Sequence, residues 1–251
     1  MLGWVAWRNF DEDQAALQSA HQRLIGARSD AERAQLGKLL EEAYAVLRSS
    51  DFREALEATA ADYPAVYARS SDQAATPAEV AAIVALERPG ARFTPAQVEV
   101  TDDLTGALGA AGEGVGSGRY ADIVIGRDVL ARYASPDAVE RSCAINVAAH
   151  EYSHTISLLP VAFSVAFTDT SGSREQIRDR RDPSTPVASY LIGAVAQCTW
   201  LEQQGRIGRA DIRACIATFG VQAFNWSRCG QFAAGQPVAP REDLARPAPP
   251  L

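Results

Sequence analysis

Two of the chain's three histidines, His150 and His154, stand four residues apart, and a carboxylate, Glu151, follows the first; the segment reads H-E-Y-S-H. Residues four apart lie one above the other on a helix face, so two imidazoles at this spacing can converge on one cation. Neutral imidazole nitrogen is a good Zn²⁺ ligand at about 2.0–2.1 Å. Glu151 projects toward the same opening, where it can take a proton from water on the ion and leave hydroxide to attack a carbonyl. The pattern therefore points to Zn²⁺ held by His150 and His154, with Glu151 as general base. The competing reading is a solvated helix face carrying two histidines and an unrelated Glu. The flanks oppose it: Val147, Ala148 and Ala149 precede the segment and Ile156, Leu158 and Leu159 follow it, as in a buried helix. Buried histidines need partners.

The elements that must position this segment are readable at low resolution. Residues 1–90 are rich in Ala, Leu, Glu, Gln and Arg and read as helical throughout. Ser29-Asp30 with Glu32 marks one helix start, Ser50 or Asp51 another, and Thr76-Pro77 a third. The alternation in 93–101 predicts a strand, Gly106 to Gly118 a loop with six glycines, and 120–129 a second strand centred on Ile123-Val124-Ile125. The GEGVGSG core of that loop lacks the ending of a phosphate cradle. Ser135-Pro136-Asp137 opens the helix that carries H-E-Y-S-H, with Ser as cap, and Pro160 stops the chain after it. Residues 169–185 read as a polar exposed loop. Thr185-Pro186 begins a further helix that runs to about Gln204 and is stopped by Gly205, and a shorter helix is expected over 210–218. The expected fold class is α+β, predominantly helical with a small sheet. Its divisions are an N-terminal helical region (1–90), a catalytic core (91–235) and a Pro-rich tail (236–251) with no packed structure of its own.

Composition narrows the function. The chain has 251 residues, 47% of them hydrophobic and 22% charged, which is ordinary for a protein with a packed core. Lys and Arg number 24 against 31 Asp and Glu, a net charge of −7, and Lys38 is the only lysine. That balance argues against a nucleic-acid surface, which needs clustered cations. No apolar run approaches the roughly 20 residues of a membrane-spanning helix. The apolar opening, Met1 to Trp7, is short for a secretory leader and is expected to be a buried start.

With these residues in view the chain resembles the zincin metallopeptidases. The likeness covers about 92–205: strand, Gly-rich loop, a strand ending in IVIG, the HEYSH helix and a later helix. It implies a zinc-dependent peptidase acting on a peptide or protein substrate, which pairs as an added strand with an edge strand above the motif helix. Here the matching strand is 121–126. The metzincin branch is excluded, since Ser157 and Pro160 stand where its Gly and His would be. The gluzincin branch takes a Glu from the second helix, and Gly193 occupies that position, in Gly193-Ala194-Val195-Ala196-Gln197. Gln197, one turn on, is the nearest replacement. Glu175 is the best carboxylate by distance along the chain, with Asp169 and Glu202 as further alternatives. Otherwise the place is left to water, in a protein of zincin fold that has lost catalysis and serves in binding. The family also implies a transition-state stabiliser, and Tyr190 is the candidate; Tyr152 is expected to face away from the ion.

The four cysteines, Cys143, Cys198, Cys215 and Cys229, form no CxxC pair. They are either buried thiols or two disulfides, and four cysteines allow three pairings. One pairing, Cys143–Cys198 with Cys215–Cys229, would staple the two helices of the site. Disulfides would imply an oxidising, exported location.

Overall fold

In the computed structural model, the structure describes residues 23–59, 62, 76–85, 87, 91–93, 97–102, 109–111, 123–154, 156–158, 163–164 and 188–219. Strand β1 (Arg23–Ile25) leads into α1 (Asp30–Leu47), α2 (Ser50–Thr59) and α3 (Pro77–Val84). Strands β2 (Ala91–Phe93), β3 (Gln97–Thr101), β4 (Gly109–Ala111) and β5 (Ile123–Gly126) come next. After them follow α4 (Arg127–Tyr133), α5 (Ala138–His154), β6 (Ile156–Leu158), β7 (Phe163–Ser164), α6 (Ala188–Gln203), a 3₁₀ turn (Arg209–Asp211) and α7 (Ile212–Phe219). The class is α+β and predominantly helical, as expected.

The helix starts obey local chemistry. The Ser29 hydroxyl accepts from the Glu32 N–H at 3.1 Å, capping α1. At α3, Thr76 and Glu79 cap reciprocally: the Thr76 hydroxyl accepts from the Glu79 N–H at 3.2 Å, and the Glu79 carboxylate accepts from the Thr76 N–H at 3.1 Å. Such caps satisfy backbone donors that a helix leaves open and contribute about 1 kcal/mol each. For α5 the expectation needs correction. Asp137 supplies the capping carboxylate, accepting from the Val139 N–H at 2.8 Å, while the Ser135 hydroxyl accepts from the Asp137 N–H at 3.1 Å.

Four strands make a sheet in the order β1-β3-β5-β4. β1, β3 and β5 are parallel, with Leu24 opposite Val98 and Val98 opposite Ile123. β4 runs antiparallel on the outer side of β5, with Ala110 opposite Val124. Four expectations are corrected. Residues 1–90 are not helical throughout, because Arg23–Ile25 is a strand whose only local signal is three residues long. The glycine-rich stretch is not all loop, because Gly109–Ala111 is strand, paired through backbone groups that need no large side chain. The expected edge strand is not one where it is described: β5 has neighbours on both sides, and among the described residues the antiparallel edge is β4. The strand expected over 120–129 also ends at Gly126, where α4 begins. A second sheet, β2-β6-β7, is antiparallel and sets Phe93 opposite Ile156 just beyond the end of α5.

α5 lies at the centre. It packs on the β4 and β5 side of the sheet and is flanked by α1, α4 and α6. Every residue from Ser142 to Ser153 is buried, including the polar Asn146, His150 and Glu151. One hydrophobic cluster joins Leu36, Leu39 and Phe52 of the N-terminal helices to Val98, Ile125, Ile145, Leu191 and Ile216. The first three helices therefore share the core of the motif helix. Arg141 fastens α5 near its start: its guanidinium lies over the rings of Tyr133 at 5.3 Å and Trp200 at 5.4 Å and pairs with Glu42 at 3.4 Å. Among the described residues no helix is long and apolar enough to cross a membrane.

Candidate metal centre

His150, Glu151 and His154 occupy the last turn of α5. The helical spacing stacks the two imidazoles, and their Nε2 atoms face each other at 3.1 Å. The rings are nearly perpendicular, with centroids 4.7 Å apart. A Glu151 carboxylate oxygen lies 3.9 Å from His150 Nε2. Ligand atoms of all three residues lie within 4.8 Å of one another. His150 and Glu151 are buried, at 7% and 3% exposure, and His154 is half-buried, so the group opens toward solvent at the His154 end.

His150, Glu151 and His154 form a group that could hold a metal ion. Two nitrogens at about 2.0–2.1 Å in a tetrahedral shell stand roughly 3.3 Å apart, close to the 3.1 Å between the two imidazoles. A carboxylate beside them adds the negative charge that a buried cation needs.

α6 runs antiparallel against α5 and builds the wall of the site. Tyr190 lies beside His150, with ring centroids 4.5 Å apart and planes inclined at 43°. One turn deeper, Gly193 meets Asn146 so closely that a Cβ at 193 would sit 2.3 Å from the Asn146 amide oxygen and 2.9 Å from its carbonyl oxygen. One turn deeper again, the Asn146 amide donates to Gln197 Oε1 at 2.7 Å. The Gln197 amide donates to the Ser142 hydroxyl at 3.1 Å and points at Cys143 Sγ at 3.6 Å. The contacts form a polar seam through an apolar interface, with Ser142, Asn146, His150 and His154 from α5 against Gln197, Gly193 and Tyr190 from α6.

The sequence-derived residues are thus divided. His150, Glu151, His154 and Tyr190 come together. Gln197 is fully buried and its amide oxygen is engaged by Asn146, two turns from His154 along the seam. Glu202 lies near the other end of α6 and pairs with Arg209 at 2.9 Å. Asp169 and Glu175 lie outside the described residues. Tyr152 faces away from the pair, packing on Tyr44 of α1 with centroids 6.4 Å apart. The expected Cys143–Cys198 staple is corrected: Cys198 bonds Cys215, joining α6 to α7, and Cys143 is bonded elsewhere. Sequence reasoning missed Ser142 and Asn146. Their signal was present, since positions 142, 146, 150 and 154 repeat a polar residue every fourth place and the stretch between 143 and 149 is otherwise apolar.

Compared with protein-family models, curated proteins and solved structures, the chain matches none.

Proposed function

We propose that this chain is a zinc-dependent metallopeptidase of zincin type, with His150 and His154 holding the ion and Glu151 as general base. The observation that carries this reading is the 3.1 Å approach of the two Nε2 atoms beside a buried carboxylate at the open end of a central helix. Zinc bound there would polarise water and the carbonyl of a scissile peptide bond. Glu151 Oε1 accepts a proton from the attacking water and delivers it to the amide nitrogen as the C–N bond breaks. Burial limits competing hydration of that carboxylate and keeps it aimed at the histidines. Tyr190, half-buried with its ring beside His150, is the residue we assign to donate from its phenol to the oxyanion. The substrate is an extended peptide. β4 pairs only with β5 among the described residues and packs on α5, so its outer edge is the place for an added strand. The Cys198–Cys215 disulfide favours an oxidising, exported setting.

Replacing Glu151 by Gln tests the reading against a library of unstructured peptides. Zn²⁺ binding should survive within a few-fold and cleavage should fall by at least about 10³-fold. Undiminished cleavage by Glu151→Gln refutes it.

A second reading rests on Gly193. The approach of Asn146 leaves no room for a carboxylate at that position, which favours a zincin-fold binding protein without catalysis. Stoichiometric Zn²⁺ binding with no cleavage of any peptide in the library would select it.

A further inference from the structure

We propose that Asn146 and Gln197 are positioning residues of the His150–Glu151–His154 site: their hydrogen bond, permitted by the bare Cα of Gly193, fixes the register of α6 on α5 and so holds the Tyr190 ring against the His150 imidazole. The inference rests on the metal-site reading above for its consequence, but its geometry stands apart from any ion.

The surroundings of the seam are apolar. Ile145, Ala149, Leu191, Ala194 and Cys198 are all fully buried, and such surfaces pack in more than one register at small cost. A buried amide pair does not. The Asn146–Gln197 bond is 2.7 Å long, both residues are at most 2% exposed, and Gln197 donates onward to Ser142 at 3.1 Å. Sliding α6 by one turn would leave these groups buried without partners, which is disfavoured far more than lost apolar contact. Gly193 adds the steric half of the device, since any side chain there would meet Asn146 at 2.3 Å and push the helices apart. Tyr190 lies seven residues before Gln197, two turns along the same face of α6. The register set at Gln197 therefore sets where the phenol ring lies, and that ring is 4.5 Å from His150. Groups that bond a ligand ring directly orient it, and their loss weakens metal binding roughly 10- to 100-fold; Asn146 and Gln197 act one step further out, through Tyr190.

The experiment uses the full chain, without metal and then titrated with Zn²⁺. Only three histidines are present, so their ring signals are individually assignable by NMR. Tyr190→Leu identifies the ring-current shift that the phenol imposes on His150. Gln197→Met keeps the volume and removes the hydrogen bonds; Leu56→Ala, in the core of α2, supplies a destabilised control away from the seam. Expected for Gln197→Met are a His150 ring signal displaced as in Tyr190→Leu and a Zn²⁺ affinity at least about tenfold below that of Leu56→Ala. If Gln197→Met does not fold, Asn146→Ser, too short to span the bond, takes its place. A His150 signal and Zn²⁺ affinity in the seam variant equal to those of Leu56→Ala overturn the proposal. A displaced signal with no Zn²⁺ binding in any protein, wild type included, supports the positioning and refutes the metal reading.

Discussion

Gly193 and Asn146 are packed backbone to side chain, with space for a Cβ closed off by the Asn146 amide oxygen at 2.3 Å. This one contact explains two features together. It lets α5 and α6 approach closely enough to share a buried amide network, and it leaves no space for a larger side chain at position 193. From α6 come the Tyr190 ring beside His150 and the Gln197 amide bonded to Asn146.

The first prediction follows from that packing. Gly193→Ala should destabilise the protein by about 1–3 kcal/mol, the usual cost of overpacking a filled interior. Gly193→Glu should cost more and should not raise Zn²⁺ affinity. Denaturant midpoints and metal titration on the same samples check both. A Gly193→Glu protein that folds normally and binds Zn²⁺ more tightly would contradict the packing.

The disulfide gives a second prediction. Cys198 and Cys215 are 17 residues apart and fully buried where α6 meets α7. Removing both in a Cys198→Ala/Cys215→Ala variant should lower stability by about 3 kcal/mol, the closure entropy of a loop of that length. Urea unfolding of the variant against wild type measures it. Zn²⁺ affinity should change little, because the bridge lies on the far side of Gln197 from the histidines.

A pH dependence is expected from Glu32. The Arg28 backbone N–H, then the Arg127 guanidinium, hold its carboxyl below its ordinary value of 4.5. A carboxylate whose pKa is lowered by folding stabilises the fold fully above the unfolded value, and that contribution is lost as pH falls through the folded value. Glu32→Gln should therefore be less stable than wild type at neutral pH, by about 1 kcal/mol for a pair at the protein surface. The gap should close as the pH drops below 4.5. Thermal unfolding of both proteins between neutral and acid pH checks the sign; a gap that widens in acid would contradict it.

Much of this arrangement was legible in the residues. Caps at Ser29 and Thr76, the strand at Ile123 to Ile125 and the helix carrying H-E-Y-S-H each declare themselves through local chemistry: hydroxyls before acidic first turns, β-branched runs, a four-residue period. The elements that escaped do not. β1 and β4 are three residues long and exist because a neighbouring strand satisfies their backbone, which no local pattern records. The edge position of β4, and hence the interior position of β5, is a property of sheet order. The disulfide partner of Cys198 likewise depends on where α7 folds back, since spacing alone leaves three pairings open. Gln197 illustrates a subtler limit. Its place on the same face as Gly193 was readable, but the orientation of its amide is set by Asn146, on a helix about 50 residues away in the chain.

The central claim is that the two facing imidazoles bind a metal ion, and the most direct test is a Zn²⁺ titration of the purified, chelator-treated chain against a competing chromophoric chelator. Expected are one tightly bound Zn²⁺ per chain, an affinity weakened more than about a hundredfold by His150→Ala or by His154→Ala, and no change on His21→Ala. Absence of Zn²⁺ binding in the wild type, or binding that survives loss of both His150 and His154, would contradict it.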